Sequence, residues 1–207
     1  MIKSVMKQFE ATIDKTYSFS SCEICEAKCC NGKQGTLFSQ VILEDFERIY
    51  KNFPILFIFG ELGYIKPVVI LTNGDTFCKY LKNHKCTIYE NRPSICRTYP
   101  LSANIDEMIY IDVLCPAVDT QVNSTPIIQN QQINKSFDYS TLHNYQDKYI
   151  DTFRLFEEFN NKEDFTPTIE LNGVVFYKYL KQSEDKYMKM HLESLVHLQD
   201  KYFKNLD

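Results

Sequence analysis

The eight cysteines are the residues of this chain with the clearest capacity for chemistry. Cys22 and Cys25 have the C-x-x-C spacing that lets two thiolates from one turn bind a single metal ion. The doublet Cys29-Cys30 follows at once, and thiols this close are reactive and prone to oxidation unless they are bound or buried. Four more cysteines stand further along the chain: Cys78, Cys86, Cys96 and Cys115. Eight thiolates match two four-coordinate sites, so the sequence predicts one or two metal centres.

How the eight thiols divide between sites stays open. Adjacent side chains point apart in extended backbone, so Cys29 and Cys30 need not bind the same ion. Each of the four later cysteines, taken singly, could instead be a buried and inert small side chain, because free cysteine is among the most buried residue types. His84 stands two positions before Cys86 and is a weaker candidate ligand, since eight thiolates already fill two sites.

The residues around Cys96 would form the surroundings of such a centre. Arg92 and Arg97 would place positive charge beside thiolates that otherwise repel each other. Ordinary salt bridges at the surface are the alternative role for both arginines. Tyr99 would either donate a hydrogen bond to a sulfur or pack against its neighbours. We therefore take Arg92, Arg97 and Tyr99 as residues that support the metal ligands.

Composition narrows the class of protein. A chain of 207 residues buries a core without cross-links, and its eight cysteines fall short of the roughly 8–10% that is typical of disulfide scaffolds. The N-terminal residues lack the apolar core of a signal peptide. We therefore expect a cytoplasmic protein, in which thiols persist as metal ligands. An extracellular, disulfide-bonded protein is the remaining alternative.

Charge and hydropathy argue against two kinds of partner. The formal net charge is −4 and no dense basic run is present, so nucleic acid is not an expected partner. No apolar stretch approaches the roughly 20 residues of a membrane-spanning helix, so no membrane association is expected either.

The spacing of apolar residues predicts an α+β fold. An amphipathic helix is expected from the N-terminus to about Tyr17, and a second helix over 44–50. Asn73-Gly74 is a hairpin turn signal between two apolar segments, 68–71 and 77–81. These elements belong to a small cysteine-rich metal-binding domain of short strands and helices.

We predict that this domain covers residues 1–118 and that residues 119–207 form a mostly helical C-terminal extension packed on it. Helices are expected over 139–160 and 181–205, with a possible strand over 173–177 between them. The extension contains no cysteine, which assigns the metal chemistry to the first 118 residues.

Residues 22–115 resemble the YkgJ-type cysteine-cluster family, which is described as zinc- or iron-chelating. Three pieces carry the resemblance, in the family's order: Cys22-x-x-Cys25-x-x-x-Cys29-Cys30; Cys78-x-Tyr80-Leu81 with Cys86-x-Ile88-Tyr89; and Arg92-Pro93-x-x-Cys96-Arg97-x-Tyr99-Pro100. The resemblance covers a little under half of the chain. It implies metal binding by these cysteines. Some relatives are iron-sulfur or ferredoxin-like proteins, and flagellin lysine methylases carry a similar cluster.

Two hypotheses about function follow. Zinc and iron-sulfur clusters both accept four thiolates. Cys115-Pro116 is similar to the Cys-Pro that ends some ferredoxin ligand motifs. This similarity favours an iron-sulfur cluster of the 4Fe-4S type over zinc. The first hypothesis is a structural or electron-transfer metal centre, with a protein partner at the C-terminal helices. The second is a cluster-dependent enzyme, such as a protein lysine methyltransferase or an oxidoreductase, although no glycine-rich nucleotide loop or catalytic triad is apparent.

Overall fold

The structure is a computed structural model of the 207-residue chain. It describes residues 7–13, 15–21, 27–34, 37–60, 63–119, 124–130, 132–135, 137 and 140–199. Cys22 and Cys25 lie outside the described residues, and the other six cysteines lie within them.

Strands outnumber helices in the described part of the chain. The four α-helices there are α1 (Leu43–Ile49), α2 (Ser94–Thr98), α3 (Tyr145–Glu157) and α4 (Lys186–Ser194). The strands are β1 (Phe9–Ala11), β2 (Tyr17–Phe19), β3 (Phe38–Gln40), β4 (Ile55–Phe59), β5 (Ile65–Ile70), β6 (Leu81–Lys82), β7 (Lys85–Cys86), β8 (Leu101–Ala103), β9 (Ile109–Asp112), β10 (Thr125–Gln129), β11 (Gln132–Ile133), β12 (Phe165–Leu171) and β13 (Val174–Tyr179). Short 3-10 helices cover Lys28–Cys30, Tyr89–Asn91, Lys162–Asp164 and Leu195–Gln199.

The largest sheet has five antiparallel strands in the order β12-β13-β4-β5-β3. Successive side chains of β4 point to opposite faces, and both faces are covered. On one face Phe57 packs in a core with Phe46 of α1 and Phe156 of α3. On the other face Leu56 packs with Phe176 of β13 and with residues of the last 3-10 helix. The sheet is therefore the buried centre of the molecule.

Three smaller sheets surround the cysteines. β1, β9 and β8 form one sheet, with β9 in the middle, and β11, β10 and β2 form another. These two sheets share a second core, which contains Tyr17, Leu101, Ile111 and Leu142. The third is the two-stranded ladder of β6 and β7. Of the described cysteines, Cys86 lies on β7 and Cys96 on α2, Cys29 and Cys30 lie on a 3-10 helix, and Cys78 and Cys115 lie on connecting segments.

A histidine joins β13 to β4 where their direct pairing ends. The ladder pairs Tyr177 with Phe57, so its register directs Tyr179 towards Ile55. The ring of His191 lies between those two backbones: the Tyr179 N–H donates to Nε2 at 3.1 Å, and Nδ1 donates to the Ile55 carbonyl at 2.7 Å. A backbone N–H can only donate, so the ring is neutral with its proton on Nδ1. Burial lowers the pKa of His191 from 6.5 to about 4, which favours the same form.

The expectation of a mostly helical C-terminal extension was wrong. Strands β10, β11, β12 and β13 all lie beyond residue 118, and strand is the more abundant element in the described chain as a whole. β12 and β13 form a hairpin across Asn172-Gly173, where both residues have positive φ, of 49° and 78°. This is the turn chemistry that two-residue hairpins require. The α+β class remains consistent with the structure, whereas the division at residue 118 stays a prediction.

Two smaller expectations also fail. The described part of the N-terminal segment forms β1 and β2 instead of a helix, and Phe9 and Ile13 are exposed instead of buried on one helical face. Asn73-Gly74 is not a hairpin turn, because β5 pairs with β3 and β4 instead of the segment that follows. The helix predicted over 44–50 is confirmed as α1. Among the described residues no helix combines the length and apolar character needed to cross a bilayer.

Candidate metal centre

Cys29 and Cys30 lie in a 3-10 turn that follows Ala27, whose φ is 54°. The turn is attached to the segment that carries Cys78 by backbone hydrogen bonds. The Cys78 N–H donates to the Cys30 carbonyl at 2.7 Å, and the Gly32 N–H donates to the Thr76 carbonyl at 2.9 Å. These two bonds bring thiols that are 48 positions apart in sequence next to each other.

Gly32 makes this close approach possible. A Cβ atom at this position would lie 2.6 Å from the Thr76 carbonyl oxygen and 2.9 Å from the Gly74 carbonyl carbon. Both of these are backbone atoms, which cannot rotate away as a side chain can. A larger residue at position 32 would therefore push the Cys30 and Cys78 segments apart.

Cys86 is brought to the same region by a tight hairpin. The Leu81 N–H donates to the Cys78 carbonyl at 2.9 Å, and β6 and β7 then pair Leu81 with Cys86. The turn residues Asn83 and His84 have φ of 49° and 61°, the left-handed conformation of a two-residue turn. His84 is thus an exposed turn residue. The hairpin therefore places Cys86 opposite Leu81, three residues after Cys78.

Cys96 lies on α2, and α1 holds that short helix in place. The preceding Pro93 provides no side-chain cap. Asp45 of α1 performs this task instead, because its Oδ1 accepts hydrogen bonds from the Ser94 N–H at 3.2 Å and from the Ser94 hydroxyl. A carboxylate at this position satisfies the orphan donors of a helix N-terminus. Burial raises the pKa of Asp45, while the bonds from Ser94 and the charge of Arg97 oppose that rise.

The thiols from these four segments are electrostatic neighbours. Burial raises the pKa of Cys96, and negative charge on Cys29, Cys78 and Cys86 would raise it further. Burial likewise raises the pKa of Cys78, with Cys86 and Cys29 among its neighbours. The pKa of Cys30 is raised by its hydrogen bond to Cys29, by burial and by nearby thiols. The charges of five predicted ligands, Cys29, Cys30, Cys78, Cys86 and Cys96, therefore act on one another.

Two cations flank this cluster of thiols. The hydrogen bond from Cys30 lowers the pKa of Cys29, burial opposes it, and the charges of Lys7 and Arg92 lower it further. The Arg92 guanidinium stacks 3.5 Å from the centre of the Tyr89 ring, and its Nε donates to the Tyr89 carbonyl at 2.8 Å. The two cations thus favour thiolate, the form that binds metal, at Cys29, whereas the pKa values of Cys30, Cys78 and Cys96 are raised.

Tyr99 and Cys115 lie at a second edge of the cluster. The Tyr99 hydroxyl donates to Asp112 Oδ2 at 2.9 Å, so this hydrogen bond is made to a carboxylate. Burial raises the pKa of Tyr99, and the charges of Cys115, Asp112 and Cys29 raise it further. Cys115 is itself buried, and its N–H donates to the Asp112 carbonyl at 3.1 Å. Tyr99 thus has Cys115 and Cys29 among its neighbours.

Arg97 points towards a different polar cluster. Its Nη2 donates to the Ser94 hydroxyl at 3.3 Å and to the Thr141 hydroxyl at 3.0 Å. Together with Asp45 these groups form a buried network that joins α1 and α2 to the loop before α3. The described contacts of Arg97 therefore hold the helix that carries Cys96, and its predicted role beside the sulfurs stays a prediction.

The loops that carry these thiols contain almost no apolar core. From Asn73 to Arg92 every residue is described and none is buried. None of the six described cysteines forms a disulfide. Among the described residues, no three or more His, Cys, Asp or Glu side chains are arranged tightly enough to hold a metal ion. The ligand chemistry of the five neighbouring thiols suits zinc or iron, while Cys22 and Cys25 fall on residues that are not described.

A cavity lies beyond α2. It has a volume of about 570 Å³, and Asn104, Glu107, His143 and Asp147 are among its lining residues. A smaller pocket of about 70 Å³ shares part of its wall and is lined by residues that include Asp45 and Ser94. The larger volume is in the range of small-molecule sites in proteins.

Sequence reasoning did not select Lys7, Asp112 or Asp45. Lys7 and Asp112 come to the thiols through the pairing of β1 with β9, and Asp45 through the packing of α1 against α2. Asp45 stands in the acidic first turn of the predicted helix over 44–50, where a carboxylate has an obvious local role. No local signal pointed to its actual partner, which lies 49 positions away.

Comparison with known families gives one match. Residues 21–116 match the family model CxxCxxCC, which is described as "Putative zinc- or iron-chelating domain". The matched range contains all eight cysteines. No solved structure matches the chain.

Proposed function

Because residues 21–116 match the model of a zinc- or iron-chelating domain, we propose that the chain holds its metal as a thiolate centre that cross-links its cysteine loops. The first proposed ligands are Cys29, Cys30, Cys78, Cys86 and Cys96, whose charges act on one another. Cys22, Cys25 and Cys115 complete the proposed set of eight. In this proposal the centre is structural in the first place, with electron transfer as a further role of a redox-active metal.

The observation that supports the proposal is that Cys29, Cys30, Cys78, Cys86 and Cys96, from four chain segments, influence one another's pKa. Two of them, Cys78 and Cys86, belong to the stretch from Asn73 to Arg92, in which no residue is buried. Burial of apolar area is the main favourable term in folding, and the stretch from Asn73 to Arg92 gains little from it. A metal bound by thiolates supplies the missing stabilisation, which is of order 10 kcal/mol in small zinc modules. No described cysteine forms a disulfide, which is consistent with a ligand role.

The nature of the metal is the finer part of the proposal. Zinc and iron-sulfur clusters both fit thiolate donors, and we favour an iron-sulfur cluster from the Cys115-Pro116 pattern. Lys7 and Arg92 reduce the net negative charge of either kind of centre. The proposed setting is the cytoplasm, where thiols stay reduced.

Metal and acid-labile sulfide analysis of the full chain, purified without oxygen, tests this function. We expect metal in stoichiometric amount, and a lower content after Cys78→Ser, Cys86→Ser or Cys96→Ser. Iron with sulfide would support the cluster, whereas stoichiometric zinc without sulfide would overturn the cluster and leave the thiolate centre standing. A chain that retains neither metal and takes up neither after reduction contradicts the whole proposal.

A second candidate is a cluster-dependent enzyme, such as a protein lysine methyltransferase or an oxidoreductase. The observation that favours it is the cavity of about 570 Å³, since α2 carries Cys96 while its neighbour Ser94 lines the adjoining pocket. Incubation of the metal-loaded protein with a methyl donor and cell extract, followed by mass spectrometry, tests the methylase version. The absence of any modified protein would count against it. A protein partner at the C-terminal helices stays a prediction.

A further inference from the structure

Lys7 is a cation that the N-terminal strand brings to the thiols. It lies outside the matched range 21–116. Two bonds fix the backbone beside it: the Gln8 N–H donates to Asp112 Oδ1 at 3.0 Å, and the Val113 N–H donates to the Gln8 carbonyl at 2.9 Å. Because this backbone is held, the side chain of Lys7 starts from a defined position at the end of β9.

The ammonium group of Lys7 lies over an aromatic face and among negative groups. Its Nζ is 4.9 Å from the centre of the Tyr99 ring, which is within cation–π range. Burial lowers the pKa of Lys7, while the negative charges of Cys29, Asp112, Cys96 and Cys30 oppose that change and favour the charged ammonium. The Lys7 side chain is partly buried. Water therefore screens the charge of Lys7 less than it screens a surface lysine.

A thiolate centre needs such a charge. Four thiolates around a divalent ion carry a net charge of −2, and a buried charge is costly unless it is paired. Arg92 approaches the thiols from the segment before α2 and Lys7 from the N-terminal strand, so the two cations come from separate elements. Groups around the ligands commonly change metal affinity by about 10- to 100-fold.

We propose that Lys7 is a positioning residue of the metal centre, whose fixed positive charge compensates the thiolates and raises their affinity for metal. This inference rests on the proposed function. It assigns a role to a residue outside the matched domain and makes strand β1 part of the site.

Anaerobic titration of the reduced full chain with Co²⁺ tests it, because cobalt bound to thiolates has a charge-transfer absorption that reports both the ligands and the affinity. We expect Lys7→Met to weaken Co²⁺ binding about 10- to 100-fold while the shape of the absorption band stays the same. Lys7→Arg keeps the charge and should restore most of the affinity. Lys51→Met is the matched control, since Lys51 also lies over a tyrosine ring, 5.4 Å from the centre of Tyr50, and its loss should leave binding unchanged.

Three results would overturn the inference or its premise. Equal affinity of Lys7→Met and the parent chain overturns the role of Lys7 and leaves the metal centre intact. Equal weakening by Lys7→Met and Lys7→Arg also overturns it, because charge is then not the cause. The absence of a thiolate band in the parent chain overturns the proposed function itself. If Lys7→Met has a lowered melting temperature without metal, Lys7→Arg and Lys7→Gln are compared instead. For each variant, the melting temperature with metal is measured relative to that of its own metal-free form. A smaller rise for Lys7→Gln than for Lys7→Arg supports the role of the charge, and equal rises overturn it.

Discussion

The five-stranded sheet and the cysteine loops of this protein are held together in different ways. In the sheet, β4 and its neighbours bury large side chains on both faces, with Phe57 and Phe176 fully buried. In the loops, residues 73–92 bury none of their side chains fully, and backbone hydrogen bonds define the path of the chain. The comparison shows that the sheet is stabilised by buried apolar area, whereas residues 73–92, which carry Cys78 and Cys86, are at most partly buried. In the proposed function, a metal bound by the thiols stabilises that segment.

Removal of one buried ring from the sheet should have the largest effect. Phe57→Ala should lower the free energy of unfolding by about 3–5 kcal/mol, because it leaves a cavity in the core. The matched change in the loops is Phe77→Ala, whose side chain is 49% exposed and which should cost less than about 0.5 kcal/mol. Chemical denaturation of the metal-free chains measures both. Equal losses would contradict the comparison.

Acid should weaken the sheet through His191. The pKa of this buried ring is lowered from 6.5 to about 4 in the folded chain, so the unfolded state takes up the proton first and stability is lost as the pH falls from 6.5 towards 4. The full loss is about 3 kcal/mol. The protonated ring would also leave the Tyr179 N–H without its acceptor.

Urea denaturation of the metal-free chain between pH 7 and pH 4.5 measures this loss. His191→Gln is the comparison variant: it should be less stable at pH 7 and should lose less between the two pH values. A parent chain and variant with identical pH profiles would show that His191 does not make the sheet acid-sensitive.

Gly32→Ala should act on the loops. The added Cβ would meet the backbone of Thr76 and Gly74, at a cost of about 1–3 kcal/mol for overpacking, and would separate Cys30 from Cys78. We expect weaker Co²⁺ binding by thiolate absorption. Gly60→Ala is the control, because its Cβ would meet the end of the flexible Lys66 side chain. Unchanged metal binding by Gly32→Ala would show that the close approach of the two segments does not matter to the centre.

Asp45→Ala should have the smallest effect. It removes the acceptor of the Ser94 bonds at the start of α2, which should cost about 1 kcal/mol and loosen the position of Cys96. Asp45→Asn keeps an acceptor oxygen and should cost less. Thermal melting with and without metal measures both variants. Equal losses from Asn and from Ala would assign the effect of Asp45 to its charge instead of its hydrogen bonds, because both variants remove the charge and only Asn keeps an acceptor.

Local patterns predicted some elements of this fold and not others. The helix over 44–50 carried its own apolar spacing and acidic first turn, and it forms as α1. Asn-Gly occurs three times in the chain, and the dipeptide does not have a single outcome. At Asn172-Gly173 it closes the β12-β13 hairpin, whereas the sequence analysis predicted only a strand over 173–177 and no partner for it. Pro167 lies where the register of this hairpin shifts, on an edge strand, where proline is tolerated.

At Asn73-Gly74 the turn signal was misread. The Asn73 side chain accepts bonds from the Asp75 and Thr76 N–H groups at 3.0 Å each, which makes a local turn that leads the chain to the Cys30 segment. The types and spacing of the cysteines were enough to propose a metal site. The cation Lys7 and the cap Asp45 were not predictable, since tertiary pairing alone brings them to the site.

The short helix α2 has a consequence for any ligand of the smaller pocket, whose wall it forms in part. A helix of five residues moves as one rigid piece, because its single turn has no internal hinge. Cys96 belongs to the thiol cluster, and Ser94, two positions earlier, is part of the pocket wall. Metal binding at the thiols would therefore change the affinity of the pocket for its ligand. By thermodynamic reciprocity, the ligand would change the affinity for metal by the same factor.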